Sequence, residues 1–302
     1  MKLLNNYLVL GMGSMLLVAC GGGSSSSTTT TSTPSTPTTI ESFTAWSATT
    51  ANVPVAMTDG SSSSIDLLGN ISQSDSSGSA TFTRDANNSY TLISPTASAG
   101  NSAIFSADLG DTLQSSFSSA NTTALNTTKT TIGLFANPST YSFNYQTYGA
   151  WGSYGIATGS AFALSDGAAS PPSAIPTTGG LTLTGGSTGY FVDTNKFSYL
   201  TNATMAANLS FNTRTILFTT TSTVIQGAPN GNVNTNDNLN MTGVITYISG
   251  TNNFIGTVTT TSGMTGKING KFYGPGINEI GGTYAVYGSG IGTMVGSFGG
   301  KR

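Results

Sequence analysis

Histidine is absent from this 302-residue chain, cysteine occurs once, and charged side chains make up only 7% of it. Without imidazole there is no Ser-His-Asp triad, no Cys-His pair and no histidine metal ligand. A single cysteine gives neither an internal disulfide nor a thiolate zinc cluster. Nine Lys plus Arg within a net charge of −2 cannot lay the basic stripe that a phosphate backbone requires, which argues against nucleic acid as a partner. The carboxylates of the C-terminal half are Asp166, Asp193, Asp237 and Glu279, and none forms a close pair in sequence. A two-carboxylate hydrolase therefore has no support, and neither enzymatic activity nor a cofactor is expected. What the chain has instead is 42 Ser, 51 Thr and 39 Gly, interleaved with β-branched and aromatic residues. Such a composition suits strands and turns and disfavours helices.

The N-terminus reads as an address. Lys2 is the only charge before residue 20, and an apolar stretch from Tyr7 to Ala19 is too short to span a bilayer but suits the core of a signal peptide. It ends in Leu17-Val18-Ala19-Cys20, which resembles a bacterial lipobox. Small residues fit the cleft of the signal protease, and the thiol of Cys20 is the nucleophile that receives the lipid. Cleavage is expected between Ala19 and Cys20, with several acyl chains (palmitate among them) on Cys20 for stable anchoring. Residues 21–40 carry no charge and one large apolar residue, Ile40. They cannot bury enough surface to offset their ordering entropy and read as a tether, with an r.m.s. reach of about 25 Å and roughly 65 Å at full stretch. Gly21 and Gly22, with no Asp beside Cys20, favour passage to the outer membrane, by analogy with bacterial lipoproteins.

Beyond residue 40 no segment sustains a 3.6-residue apolar period. The pattern predicts strands over Met241 to Ile248, Phe254 to Thr261, Gly266 to Tyr273, Glu279 to Tyr287 and Gly292 to Phe298, joined by Gly-, Asn- and Pro-rich turns. Ile268 and Phe272 share a face with Gly266 and Gly270, as do Ile280, Tyr284 and Val286 with Gly282, and Met294 and Phe298 with Gly296 and Gly300. Large residues alternating with glycine suit the interior of a small barrel, and the opposite faces carry Lys267, Asn269, Lys271, Glu279 and Thr283. Residues 181–193 read as strands around a Gly-rich turn, and Ala206 to Phe211 with Thr215 to Val224 as a hairpin. About eight strands are thus expected from residue 181 onward, or nine to ten from 141. Residues 167–180 and 226–238 read as long loops. Short strand candidates in 41–140 lie at 43–46, 79–84, 89–93 and 103–107. The expected class is all-β: an antiparallel eight-stranded β-barrel at the C-terminus, residues 141–302, beside a smaller N-terminal β-subdomain, residues 41–140. A signal peptide (1–19) and a lipidated tether (20–40) precede them.

Five motifs carry a resemblance: Lys271-Phe272-Tyr273-Gly274-Pro275, Asn278-Glu279-Ile280-Gly281-Gly282-Thr283-Tyr284, Gly296-Ser297-Phe298-Gly299-Gly300-Lys301-Arg302, the segment Tyr145 to Trp151, and Gly185 to Phe191. In this order they resemble the β-barrel of the transferrin-binding protein B family, well over 141–302 and weakly over 41–140. The resemblance implies a single lobe, with a β-stranded handle beside the barrel, on a lipid-anchored protein of the outer membrane facing the cell exterior. Relatives in that family bind host proteins or iron sources: transferrin, haemoglobin, haem or complement factor H. The implied function is capture of a host protein or an iron- or haem-linked ligand for nutrient acquisition, with an outer-membrane transporter as a further partner. The alternative is a host-interaction lipoprotein, for immune evasion or adhesion, without a role in uptake. Full transferrin receptors of this kind carry two lobes and this sequence has room for one, which counts against transferrin itself.

No ligand-contact residue is carried over from the family. Glu279 reads as a structural acid accepting backbone N–H groups. Tyr273, Tyr284 and Tyr287 read as barrel-wall aromatics, and Lys301 and Arg302 as solvated. The group Tyr141, Phe143, Tyr145, Tyr148, Trp151 and Tyr154 reads first as core, with a binding rim as its second use. The candidate ligand-binding segments are therefore 145–154 and the loop 226–238.

Overall fold

The computed structural model describes residues 143–152, 161–227 and 232–302 in full, the backbone of Ser153 and Ser160, and nine strands between residues 55 and 136. Those nine are β1 (Val55–Met57), β2 (Ser61–Asp66), β3 (Ile71–Ser74), β4 (Ala80–Arg84), β5 (Tyr90–Ile93), β6 (Ser102–Phe105), β7 (Thr112–Gln114), β8 (Thr122–Asn126) and β9 (Thr131–Ala136). Then follow β10 (Gln146–Ser153) and β11 (Ser160–Gly167). Strands β1, β4, β5 and β6 form a four-stranded sheet in the order β1-β4-β5-β6. A seven-stranded sheet runs β3-β2-β11-β10-β9-β8-β7. The expected strands at 79–84, 89–93 and 103–107 correspond to β4, β5 and β6, whereas 43–46 lies outside the described residues.

The remaining strands are β12 (Gly180–Asp193), β13 (Ser198–Ser210), β14 (Thr215–Gly227), β15 (Val233–Thr235), β16 (Met241–Tyr247), β17 (Asn253–Thr260), β18 (Thr265–Tyr273), β19 (Glu279–Gly288) and β20 (Gly292–Lys301). Their order is β13-β12-β20-β19-β18-β17-β16-β14, and an antiparallel β13–β14 pairing closes it into an eight-stranded barrel, with β15 added outside on β14. Closure leaves the barrel strands no open edge, which matters in a chain this poor in charged residues that could guard one.

The inward faces are those the alternation predicts. Ile268, Phe272, Ile280, Tyr284, Val286, Met294 and Phe298 share one buried cluster with Phe218, Phe254 and Met205. Phe218 meets Phe298 at 4.8 Å between ring centroids and Phe254 meets Phe272 at 5.4 Å. Glycine is required where such a ring lies over the neighbouring strand: a Cβ on Gly296, the cross-strand partner of Tyr284, would fall on the hydroxyl end of that tyrosine. That hydroxyl lies 3.1 Å from Ser187 Oγ, and complete burial pushes its pKa up to about 12. An eight-stranded barrel is just wide enough for side chains to fill, and this one is filled.

Two expectations are corrected. Gly185 and Gly186 do not turn the chain; β12 runs straight through them, because a Cβ on Gly185 would strike the backbone of Gly299 and Gly300 on the neighbouring strand. These glycines answer crowding between strands. Likewise β10 and β11, expected within the barrel, do not belong to its wall. Strand β10 pairs with β9 and β11, and β11 with β2, so the barrel's strands begin at Gly180, preceded only by a bridge from Ala169 to Tyr273. The aromatic and glycine pattern of β10 looks like barrel sequence because β10 packs on the barrel from outside. Of the expected loops, 167–180 contains a single 3-10 turn at Pro172–Ala174. The other, 226–238, holds β15 paired with the end of β14.

Candidate binding surface

Which surface is free to bind follows from which is already covered. The seven-stranded sheet lies across the outer faces of β12, β19 and β20. Leu134, Ala150, Ala161 and Ala163 from that sheet form an apolar cluster with Tyr190, Val192, Leu200, Ala285 and Val295 from the outside of the barrel. The small residues let the two layers approach closely, and Gly299 lets them closer still: a Cβ there would stand 2.6 and 2.7 Å from ring atoms of Tyr148, which is wholly buried. Polar bonds then lock the contact. The Gln146 side-chain amide, fully buried on β10, donates to the carbonyls of Ile280 at 2.7 Å and Gly300 at 3.2 Å.

Glu279 completes this seam. Its carboxylate accepts the backbone N–H of Asn144 at 2.6 Å and of Tyr145 at 3.1 Å, just before β10 begins. It is therefore the structural acid that the sequence reading describes. Desolvation by burial raises its pKa to about 7, against the lowering effect of those N–H groups and of Lys301. The Phe272-Tyr273-Gly274 turn serves the same junction. Ser170 N–H donates to the Phe272 carbonyl at 2.8 Å, and Gly274 N–H to that of Ala168 at 2.9 Å. Asn252 pins the site, donating to the carbonyls of Ser170 and Phe272 and accepting from Phe272 N–H at 2.8 Å. Asn252 was legible in the sequence only as a turn residue.

The seam explains why Asn269, Lys271, Glu279 and Thr283, on the face opposite the barrel interior, are buried while Lys267 stays exposed. Most of the aromatic rim is buried as well. Phe143, Tyr148 and Trp151 are buried; Phe143 meets Tyr148 edge-on at 6.0 Å and Trp151 stacks on Phe162 at 5.5 Å. Tyr145 is half-buried, and Tyr141 and Tyr154 lie outside the described residues. The described part of this segment, 145–152, is thus an internal contact, not an open rim. Tyr273 and Tyr284 are buried, Tyr287 is exposed, and Arg302 is exposed with its guanidinium donating to the Gly276 carbonyl at 2.6 Å. Ala19 and Cys20 lie outside the described residues.

Strands β14, β16 and β17 keep a free outer face. Leu217 and Val244 stand opposite one another in register and are 44% and 63% exposed, beside Ile255 at 53% and, at the strand end, Ile248 at 75%. Next to this face projects β15, all three of whose residues are exposed. Asn240 steadies its base, accepting from Thr223 N–H at 3.0 Å and Thr223 Oγ1 at 2.7 Å. Among the described residues no group of three His, Cys, Asp or Glu could hold a metal ion.

Residues 173–302 match the family model described as the C-lobe and N-lobe β-barrels of Tf-binding protein B. Among solved structures, a point mutant of transferrin-binding protein B from Haemophilus parasuis Hp5 is similar at 15% identity and a TM-score of 0.48, covering 80% of this chain and 45% of its own. The isotype 1 protein from serogroup B Neisseria meningitidis is similar at 16% identity and a TM-score of 0.46, covering 81% of this chain and 43% of its own. A structure described as a surface lipoprotein is similar at 12% identity and a TM-score of 0.41, covering 81% of this chain and 98% of its own. This chain therefore spans less than half the length of the first two. No curated protein matches the sequence.

Proposed function

From a chain whose residues 173–302 form a β-barrel of the transferrin-binding protein B type, we propose an outer-membrane surface lipoprotein that binds a host protein carrying iron or haem, for nutrient acquisition. The observation that carries this reading is the match of the barrel to that family of binding proteins, joined to a filled interior that leaves only the outside for recognition. The binding surface is the open face of β14, β16 and β17, with Leu217, Val244 and Ile255, together with the exposed strand β15. Exposed apolar residues on a sheet face, rimmed by Thr and Asn, provide contact area and hydrogen bonds without charge.

Immobilised full-length protein, incubated with serum, is expected to retain transferrin, haemoglobin or another iron-carrying protein. Replacing Val244 and Ile255 together by Asn should cost at least about tenfold in affinity for the retained protein, with thermal unfolding unchanged. Retention of only iron-free host proteins would move the reading to immune evasion or adhesion. Unchanged affinity in both this variant and one shortened over 226–238 would remove the surface assignment.

With a net charge of −2 and few ionic groups, long-range steering is weak, so the affinity should change by less than about threefold between low and high salt. A steep salt dependence in a binding titration would contradict this.

The anchor is Cys20, freed by cleavage after Ala19. Cys20→Ala is expected to shift the protein from the membrane to the soluble fraction, since a single apolar stretch of this length cannot replace several acyl chains. A variant that fractionates with membranes as fully as the parent protein would rule the anchor out.

A further inference from the structure

The barrel wall is closed, but the sheet that forms it still has an edge: among the described residues β15 has a single neighbour, β14. Which of its backbone groups face that edge follows from the pairing. Val224, Ile225 and Gln226 stand opposite Thr235, Asn234 and Val233, and in the same register the Asn236 N–H donates to the Thr223 carbonyl at 2.7 Å. In an antiparallel ladder the hydrogen-bonded pairs alternate with the others. Thr223 with Asn236 and Ile225 with Asn234 are therefore the bonded pairs, and Val233 and Thr235 turn their N–H and C=O groups away from β14. Among the described residues nothing pairs with those groups. All three residues of β15 are exposed, and from Asn232 to Asn236 the chain has neither a charge nor a proline. Edge strands are ordinarily guarded by such residues. The strand is nevertheless held in place, because the 3-10 turn Asp237–Leu239 follows it and Asn240 is bonded to Thr223.

An exposed row of alternating donors and acceptors matches one kind of partner, another extended backbone. We propose that β15 receives an extended, uncharged segment of the bound host protein as an added strand, hydrogen-bonded to Val233 and Thr235. This rests on the host-protein reading and names how that protein is engaged. Strands β15 and β16 pair with successive stretches of β14, so the open face of β14, β16 and β17 lies beside the edge and continues the contact. That continuity favours the bound protein over a second copy of this chain, which would bring only the same three residues to the edge. Val233 and Thr235 stand in register with Gln226 and Val224, and Val224 packs on the apolar cluster outside the barrel. Residues that share a register position share a face, so side chains of the added strand opposite Val233 and Thr235 extend the outer surface, where threonine and apolar residues fit and a charge does not.

Proline at an outward-facing N–H provides the test, since it removes a donor that β14 does not use and sets its ring in the path of the added strand. Whole serum in serial dilution is passed over immobilised full-length protein, and the retained proteins are identified and quantified by mass spectrometry. Thr235→Pro and Val233→Pro should each need at least about tenfold more serum for the same retention of iron-carrying protein, and Thr235→Ala, which keeps the backbone groups, less than about threefold more. Thermal unfolding of both proline variants should match the parent. A lower midpoint in both would show those amides already engaged and would overturn the free edge. The proposal is also overturned if the proline variants retain serum protein as the parent does, an outcome that leaves the host-protein reading standing. A loss in Thr235→Ala as large as in Thr235→Pro would make the contact one of side chains and overturn it likewise. A parent that sediments as a dimer, with Thr235→Pro monomeric, gives the edge to a second copy instead. If the parent retains no serum protein, the host-protein reading fails and the proposal falls with it.

Discussion

Valine in place of Gly299 is expected to destabilise the protein by about 2–4 kcal/mol, seen as a lower urea midpoint, with Gly299→Ala giving a smaller loss of the same kind. The cause lies in the seam. A Cβ at this position meets the ring of Tyr148 at 2.6 Å and the Gln146 side-chain amide nitrogen at 3.0 Å. Neither can yield cheaply: Tyr148 is fully buried, and the Gln146 amide is engaged with the carbonyls of Ile280 and Gly300. The added methyl groups therefore push β10 away from the barrel and break those bonds, while the barrel's own strand pairing is left intact. The variant should lose protection in β10 before it loses the barrel. If Gly299→Val unfolds at the parent's midpoint, close apposition of the seven-stranded sheet and the barrel is wrong.

Glu279 gives the second large effect, and one that depends on pH. Its carboxyl, ordinarily near 4.5, sits at about 7 in the folded protein because burial penalises the charged form. A group whose pKa is raised on folding contributes stability that is fully present below the unfolded value and lost as pH rises through the folded one. The protein should therefore be more stable at pH 4.5 than at pH 7.5 by an amount on the order of 3 kcal/mol from this residue. Glu279→Gln, which keeps the shape and an acceptor oxygen but does not ionise, should flatten that slope and be at least as stable as the parent above pH 7. Glu279→Ala should be worse at every pH by about 2–4 kcal/mol, because the N–H groups of Asn144 and Tyr145 lose their acceptor. Urea midpoints across this range for the three proteins provide the check; a parent and Glu279→Gln that follow the same pH profile would refute the role given to ionisation.

Much of the barrel could be read before any coordinates. The runs from Met241 to Phe298 fall on β16 to β20 within a residue or two at most starts and ends, because a barrel wall writes a period of two with large residues inside. The glycines between them show where a neighbouring strand or its large side chain crowds in. Gly185 and Gly186 failed as a turn because glycine permits close approach as readily as reversal, and sequence alone does not separate the two uses. The placement of 145–154 failed for a related reason: small and aromatic residues in alternation describe any strand packed on a crowded surface, whether its hydrogen bonds go to the barrel or to β9 and β11. The polar row Asn269, Lys271, Glu279 and Thr283 is locally indistinguishable from a solvated face. Only the long-range docking of β2, β3, β10 and β11, a hundred residues or more upstream, buries it. The open apolar face was invisible for the converse reason, since Leu217, Val244 and Ile255 belong to three different strands and meet only through the register of β14 with β16 and of β16 with β17.

These relations divide the surface into a sealed half and a free half, and everything proposed about binding rests on that division. Hydrogen exchange of the full-length protein, followed by mass spectrometry, tests it directly. The account predicts that peptides covering 144–152 exchange as slowly as those covering 279–283 and 297–300, and that Gly299→Val accelerates the first set while leaving β16 and β17 unchanged. Rapid exchange over 144–152 in the parent protein, alongside a protected barrel, would contradict it and return the 145–154 aromatics to the free surface.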